Sequence, residues 1–414
     1  MSRKRHEFQY DEGHVEEMDP LAVTALSMVS ALGVGLRCVR EHLADAEGGL
    51  RPCDFPGAKL DTFIGRVEGL EEAEITGTLA RFDSRNNRLA QMALKSDEFG
   101  LRVSEARQRY SPERIAVYVG TSTSGLLSLE EAYRERDPES GNLPEGFNYK
   151  DTFNNFSVTD YVRRLLGLEG PASTISTACS SSAKVFASAS RMIDAGVCDA
   201  VVVGGVDTLC LTTLYGFNSL GLLSPGPCRP FDAGRKGLSI GEGAGFALLE
   251  RMEAARERAL VGFLGYGESS DAFHMASPHP EGLGAKLAIS HAVKMAGARL
   301  EGLDYVNLHG TGTLSNDESE ARAVASSLGN EVPCSSTKGW TGHCLGAAGI
   351  IEAIISILCI QEDLVPMTLN TKRLDPACSI NIVLATRRQK VMRVLSNSFG
   401  FGGSNCSLIF GSLS

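Results

Sequence analysis

The sequence predicts an α/β protein built from two similar halves, and three observations carry this. Short β-branched runs alternate with helical stretches along most of the chain. The strand-like runs are apolar throughout rather than alternating, as strands buried on both faces are. The succession of strand, Gly/Thr turn and small-residue helix occurs before residue 250 and again after it.

Residues 1–18, MSRKRHEFQYDEGHVEEM, mix both charge signs without an apolar period, so 1–19 reads as an extension. The gently apolar stretch 22–36 is shorter than the roughly 20 residues of a membrane helix and follows acidic Glu16 and Glu17, so neither a signal peptide nor a membrane span is expected. The first half, 20–255, carries strands at 115–120, 173–176, 199–207 and 245–251 and a helix at 181–195. The second half, 256–414, carries a short strand ending at His309, a helix at 346–359 and strands at 380–386 and 391–400. IAVYVGTSTSG followed by STACSSSAKVFASASRMI in one half answers VNLHGTGT followed by STKGWTGHCLGAAGIIEAIIS in the other.

Composition narrows the function classes. With 43% hydrophobic and 22% charged residues, the chain has apolar material for a large core and is not a disordered one. Forty basic against 50 acidic residues give a net charge of -10, which excludes a broad electrostatic grip on nucleic acid or anionic lipid. Eleven cysteines, an odd number with no CxxC pair, suggest neither a disulfide framework nor a zinc ribbon, and fit a reducing cytoplasm.

Cys179 lies in Thr177-Ala-Cys-Ser-Ser-Ser182, a tight turn between a strand and a helix. Free helix N–H groups and the positive end of the helix dipole there would lower a thiol's pKa and supply oxyanion donors. An inert buried thiol is the competing reading. His309 follows its strand directly in NLHGTGT, and His343 opens the second small-residue helix in TGHCLGAAG, five residues after Lys338. Each could be a structural histidine; together with Cys179 they fit nucleophilic catalysis. No ligand spacing supports a metal at His343 with Cys344 or Cys334, and none is expected. The tail Asn397-Ser-Phe-Gly-Phe-Gly-Gly-Ser-Asn405 lacks the Lys-Ser/Thr of a phosphate loop and reads as a flexible turn that brings Phe399, Phe401 and a free N–H to an active site.

TACSSS, HGTGTLSNDESE, STKGWTGHCLGAAG and NSFGFGGSN, in this order, resemble the motifs of the elongating β-ketoacyl-acyl carrier protein synthases of the thiolase superfamily. PFDAGRKGLSIGEGAG (230–245) and SSDAFHM (269–275) are similar too, and the resemblance runs from residue 20 to the C-terminus. It implies a thiolase-like five-layer αβαβα fold of two similar halves, usually a homodimer. It also implies an acyltransferase, a ketosynthase, that condenses a Cys179-bound acyl chain with malonyl-acyl carrier protein to give 3-oxoacyl-carrier protein, in fatty acid or polyketide/polyene biosynthesis. The N–H groups of Cys179 and Phe401 would form the oxyanion hole, and His309 and His343 would hold the enolate oxygen, each contributing about 3 kcal/mol.

By the same resemblance Lys338 and Glu352 form a buried ion pair, Thr311, Thr313, Phe399 and Ser277 contact the substrate arm, Phe401 is a gate, and Asp317 and Glu320 are a structural acidic pair. Arg85 and Arg88 would help dock the carrier protein. No cofactor is implied beyond the phosphopantetheine borne by the substrate. Two positions depart from the pattern: Ala276 where a Thr is common, and Trp340 where a medium-sized residue is usual. The stretch 127–162 holds no readable motif and would help set chain length. A non-catalytic chain-length-factor-like partner is disfavoured by Cys179, and a CoA-dependent thiolase-type acyltransferase by His343. Either a homodimer or a heterodimer with a ketosynthase-like subunit is compatible, and no nucleic acid or membrane partner is expected.

Overall fold

The computed structural model describes residues 15–297 and 302–413, so residues 1–14 of the expected extension lie outside the described residues. In the first half, strands β1 (Leu21–Ser30), β2 (Ile115–Gly120), β3 (Ala172–Ile175), β4 (Ala200–Asp207) and β5 (Gly243–Arg251) stand side by side in the order β3-β2-β4-β5-β1. In the second, β6 (Val261–Ser270), β7 (Tyr305–Asn307), β8 (Cys334–Ser335), β9 (Arg393–Gly400) and β10 (Ser404–Gly411) stand in the order β8-β7-β9-β10-β6. Numbered within its half, each sheet reads 3-2-4-5-1. In both, the second strand runs parallel to the third and fourth, and the fifth runs antiparallel to the fourth and first. The two half-sheets join where β1 meets β6 antiparallel, Leu21 opposite Phe263. The architecture is α/β with two similar halves, as expected.

The β-branched runs IAVYVG and AVVVGGVD are buried along their whole length, because helices cover both faces of each half-sheet. Helices α1 (Arg85–Lys95), α2 (Phe99–Tyr110) and α3 (Phe156–Leu165) line the outer face of the first half around Phe82, Leu89, Phe99, Tyr161 and Phe246. Between the half-sheets run α4 (Ser181–Asp194) and, from the second half, the longer apolar helix introduced below. Helix α5 (Leu211–Ser219) flanks the cleft, and α6 (Leu283–Ala296) and α7 (Leu314–Leu328) cover the outer face of the second half. The last helix, α8 (Ala348–Glu362), packs on α4 and on strands of both halves, completing five layers. Gly349 allows this close crossing: a Cβ there would lie 2.5 Å from the Ala183 nitrogen.

Two expectations about elements need correction. The stretch 22–36 is mostly β1, and the segment long and apolar enough to cross a membrane is Leu345–Glu362, which is 89% buried inside the protein as a core helix. No strand forms at 380–386. Ile382 makes an isolated bridge to Cys334, and the N–H groups of Ile380 and Ile382 turn back to Cys378 and Ile380, so donors a ladder would need are spent locally. The segment still lies along the outer edge of β8, with Cys334 N–H donating to Asn381 and Val383 N–H to Cys334. On the outer edge of β3, by contrast, no strand pairs among the described residues.

Candidate active site

Cys179 stands in the elbow between β3 and α4. Ala178 before it has φ +52°, a left-handed conformation that a non-glycine residue holds only when its surroundings over-determine it. Here the serine run does so: Ser181 Oγ donates to the Ala178 carbonyl at 2.6 Å and accepts from Thr177 N–H at 2.8 Å, and Ser180 Oγ donates to the Thr177 carbonyl at 2.9 Å. The Cys179 sulfur is buried 3.0 Å from His343 Nε2 and accepts from the Phe401 N–H. The expected lowering of its pKa does not hold. Burial pushes the thiol up to about 11, outweighing the Lys338 charge and the Phe401 amide, so the resting group is a neutral thiol.

His309 ends the short strand β7. Glu320 grips its loop, accepting from the His309 N–H at 2.8 Å and the Gly310 N–H at 2.7 Å. The Lys338 ammonium lies 3.2 Å from His309 Nδ1 and donates to its carbonyl at 2.5 Å. Since an ammonium only donates, Nδ1 accepts and the ring proton sits on Nε2, which faces the cleft as a donor. Lys338 is also ion-paired with buried Glu352. Burial, then the Lys338 charge, then His343 hold the His309 pKa well below the usual range, and burial and Lys338 do the same to His343. Both rings are neutral.

His343 differs in one respect. Its Nδ1 is buried and has no hydrogen-bond partner among the described residues, so neither tautomer is fixed by one and Nε2 serves as acceptor from a thiol or as donor to an oxyanion. Ligand atoms of Cys179, His309 and His343 all lie within 4.8 Å of one another, close enough by distance for a metal. A His309 Nε2 that already carries the ring proton suits an oxyanion better than a metal.

The acidic pair is structural: both carboxylates reach from the N-terminal turns of α7 to hold the backbone of the loop before it. Asp317 accepts from the N–H groups of Phe231 (2.8 Å) and Gly312 (3.2 Å) and pairs with buried Arg235 at 3.3 Å. Thr311, Thr313, Ser277, Phe399 and Phe401 all line the cleft of about 580 Å³ that opens on Cys179, and so does Ala276. The Thr311 and Thr313 hydroxyls are 2.9 Å apart, and Phe401 stacks on Phe217 of α5 with ring centres 5.6 Å apart. Trp340 is fully buried, its Nε1 donating to the Met367 carbonyl at 3.0 Å; it packs and does not line the cleft.

Arg85 and Arg88 are not free docking cations. Arg85 is clasped by fully buried Glu242 at 2.8 Å and by Glu71 at 2.7 Å, and Arg88 is paired with Asp83. These partners lie elsewhere in the chain or across a turn, so the charges read as surface groups in sequence are spent internally. Sequence reasoning also passed over Phe217, Arg235, Glu242 and Asp207. Asp207 had a signal: a lone acid closing the otherwise apolar run AVVVGGVD.

The family model of the β-ketoacyl synthase N-terminal domain matches residues 18–255, and that of the C-terminal domain matches 261–372. The chain belongs to the β-ketoacyl synthase family. The mitochondrial 3-oxoacyl-[acyl-carrier-protein] synthase of Arabidopsis thaliana is 33% identical, over 95% of this chain and 93% of that one. Nodulation protein E of Rhizobium meliloti is 37% identical over 72% and 75% of the two chains. Among solved structures, the Xenorhabdus doucetiae ketosynthase ApeO in complex with its chain length factor ApeC superposes with a TM-score of 0.86 at 37% identity, over 95% of this chain and 98% of its own. The ketosynthase fold is thus thiolase-like, and the protein is an acyltransferase of the condensing class, acting with malonyl-acyl carrier protein in fatty acid or polyketide biosynthesis.

Proposed function

We propose that this ketosynthase is a catalytic one, with Cys179 as nucleophile and His309 and His343 as the groups that drive decarboxylation. The observation that carries the reading is the convergence of the Cys179 sulfur, the His343 Nε2 and the Lys338-fixed His309 ring at one cleft. The sulfur attacks an acyl-carrier thioester, its proton passing through His343 Nε2 to the departing pantetheine sulfur. The Cys179 and Phe401 N–H groups hold the tetrahedral oxyanion. Malonyl-carrier thioester then enters past Thr311, Thr313 and Ser277. Its carboxyl leaves as CO2, and the bond electrons move to the thioester oxygen, held by both imidazoles. The enolate carbon attacks the acyl-Cys179 carbonyl, and the Cys179 sulfur leaves as a thiolate that takes up a proton from water to restore the neutral thiol. Neutral imidazoles suit this step because they stabilise the enolate without protonating its carbon.

The reaction needs no cofactor apart from the carrier's phosphopantetheine. We place the protein in the cytoplasm, which suits its free cysteines. Its partners in this reading are an acyl carrier protein and a second ketosynthase-like subunit, identical or not, for which the unpaired outer edge of β3 is a ready template. A chain-length-factor role is disfavoured because the nucleophile is present and engaged with His343. Incubating the protein with acyl-carrier thioesters from short to long and reading intact mass tests the proposal. An acyl adduct on the wild type and none on Cys179→Ala is the expected result; no adduct with any chain length overturns it.

A further inference from the structure

In each half the fourth strand ends against the helix-start turn of the other half. β9 ends at Gly400, where a Cβ would lie 2.8 Å from the Thr177 carbonyl oxygen, and the next N–H, that of Phe401, faces the Cys179 sulfur. β4 ends at Asp207, and its carboxylate accepts at 2.5 Å from the N–H of Gly346, in the turn between His343 and α8.

Asp207 is fully buried. It also accepts from the N–H groups of Ser122 (2.9 Å) and Thr123 (2.8 Å) and from the hydroxyls of Thr121 (2.7 Å), Ser122 (2.5 Å) and Thr123 (2.7 Å). Among the described residues no cation pairs with it. A buried charge held only by neutral donors is costly unless those bonds are strong and well placed.

The turn it holds needs holding. Leu345 has φ +51°, and a Cβ on Gly346 would lie 2.7 Å from the Asp207 carboxylate and 2.8 Å from the Ser122 nitrogen. On its other side the turn is pinned by the His343 N–H donating to the Ser239 carbonyl at 2.7 Å and the Gly241 N–H donating to the His343 carbonyl at 2.9 Å. We propose that Asp207 is a positioning residue for the condensation: it clamps the Gly346 end of the turn, and so keeps His343 Nε2 at the reacting atoms. The proposal rests on the reading of His343 as an enolate-stabilising group.

A double-mutant cycle separates this from a purely structural role. The rate of CO2 release from carboxyl-labelled malonyl-acyl carrier protein is measured for Asp207→Asn, for Ser122→Ala, which removes the hydroxyl bridging Asp207 and Gly346 (3.2 Å to the Gly346 nitrogen), and for His343→Ala, singly and combined. Expected are a loss of at least tenfold for Asp207→Asn and two- to fivefold for Ser122→Ala. In the His343→Ala background each loss shrinks to under twofold, whereas in a His309→Ala background it persists. Full losses in the His343→Ala background, or none in the wild type, overturn the proposal. If Asp207→Asn does not fold, the Ser122→Ala cycle decides alone. If His343→Ala itself releases CO2 at the wild-type rate, the catalytic reading of His343 fails instead.

Discussion

The two halves share one strand order and one pattern of directions, yet they have been given different chemistry. At the start of its central helix the first half holds a thiol; the second half holds an imidazole at the corresponding turn and another after its second strand. The two fourth strands differ likewise, one ending beside the N–H that faces the Cys179 sulfur and the other in a carboxylate. The edges differ too, β8 being lined by 378–383 and β3 not. Two topologically equivalent sets of loop ends face one another, and in the proposed reading side-chain differences divide between them the covalent and the decarboxylating work.

That division is sharpest in single variants. Cys179→Ala should lower condensation by roughly 10⁴-fold or more, as removal of a covalent nucleophile does, while release of CO2 from malonyl-carrier thioester survives; loss of both would dissolve the contrast between the halves. Each half also has its own buried ion pair. Arg85→Met strands Glu242 in the first half and should cost about 3–5 kcal/mol in denaturant unfolding, with the KM for carrier thioesters unchanged within twofold because the pair lies away from the cleft. A raised KM would restore Arg85 as a docking residue. In the second half, His309→Ala or His343→Ala should slow CO2 release by about 10²- to 10³-fold.

The smallest effect belongs to Glu320, whose carboxyl burial raises to about 7 from 4.5 despite its N–H partners. The folded state binds this proton more tightly than the unfolded one, so the group's contribution is lost as pH rises from about 4.5 to about 7 and is level above that. Relative to Glu320→Gln, the wild type should therefore lose on the order of 3 kcal/mol across that window in pH-dependent urea unfolding. A difference independent of pH would show that the group is ionised in the folded protein throughout.

Much of this was legible from residues alone. Uniformly apolar β-branched runs such as 115–120 and 200–207 announced buried strands, and the small-residue turns around Cys179, His309 and His343 announced loops that open on a cleft. What failed was long-range. The fully buried partner of Arg85, Glu242, is 157 residues away, so its charge looked free. The helix start at Cys179 argued for a low pKa, but burial depends on the whole fold and won. The segment 380–386 has strand-like residues, yet its backbone turns on itself beside β8. Asp207 is one letter at the end of a strand, and its partners are the ends of other elements.

Helix α8 has a consequence for how the chain acquires its structure. Its apolar surface is covered from one side by residues such as Met28 and Phe186 of the first half and from the other by Phe410 and Val394 of the second. Neither half can bury it alone, so the boundary that separates the two copies in sequence does not separate two cooperative folding units. A nascent first half emerging from the ribosome has its central layer unfinished, and β9 and β10, made well after it, are strands that close it.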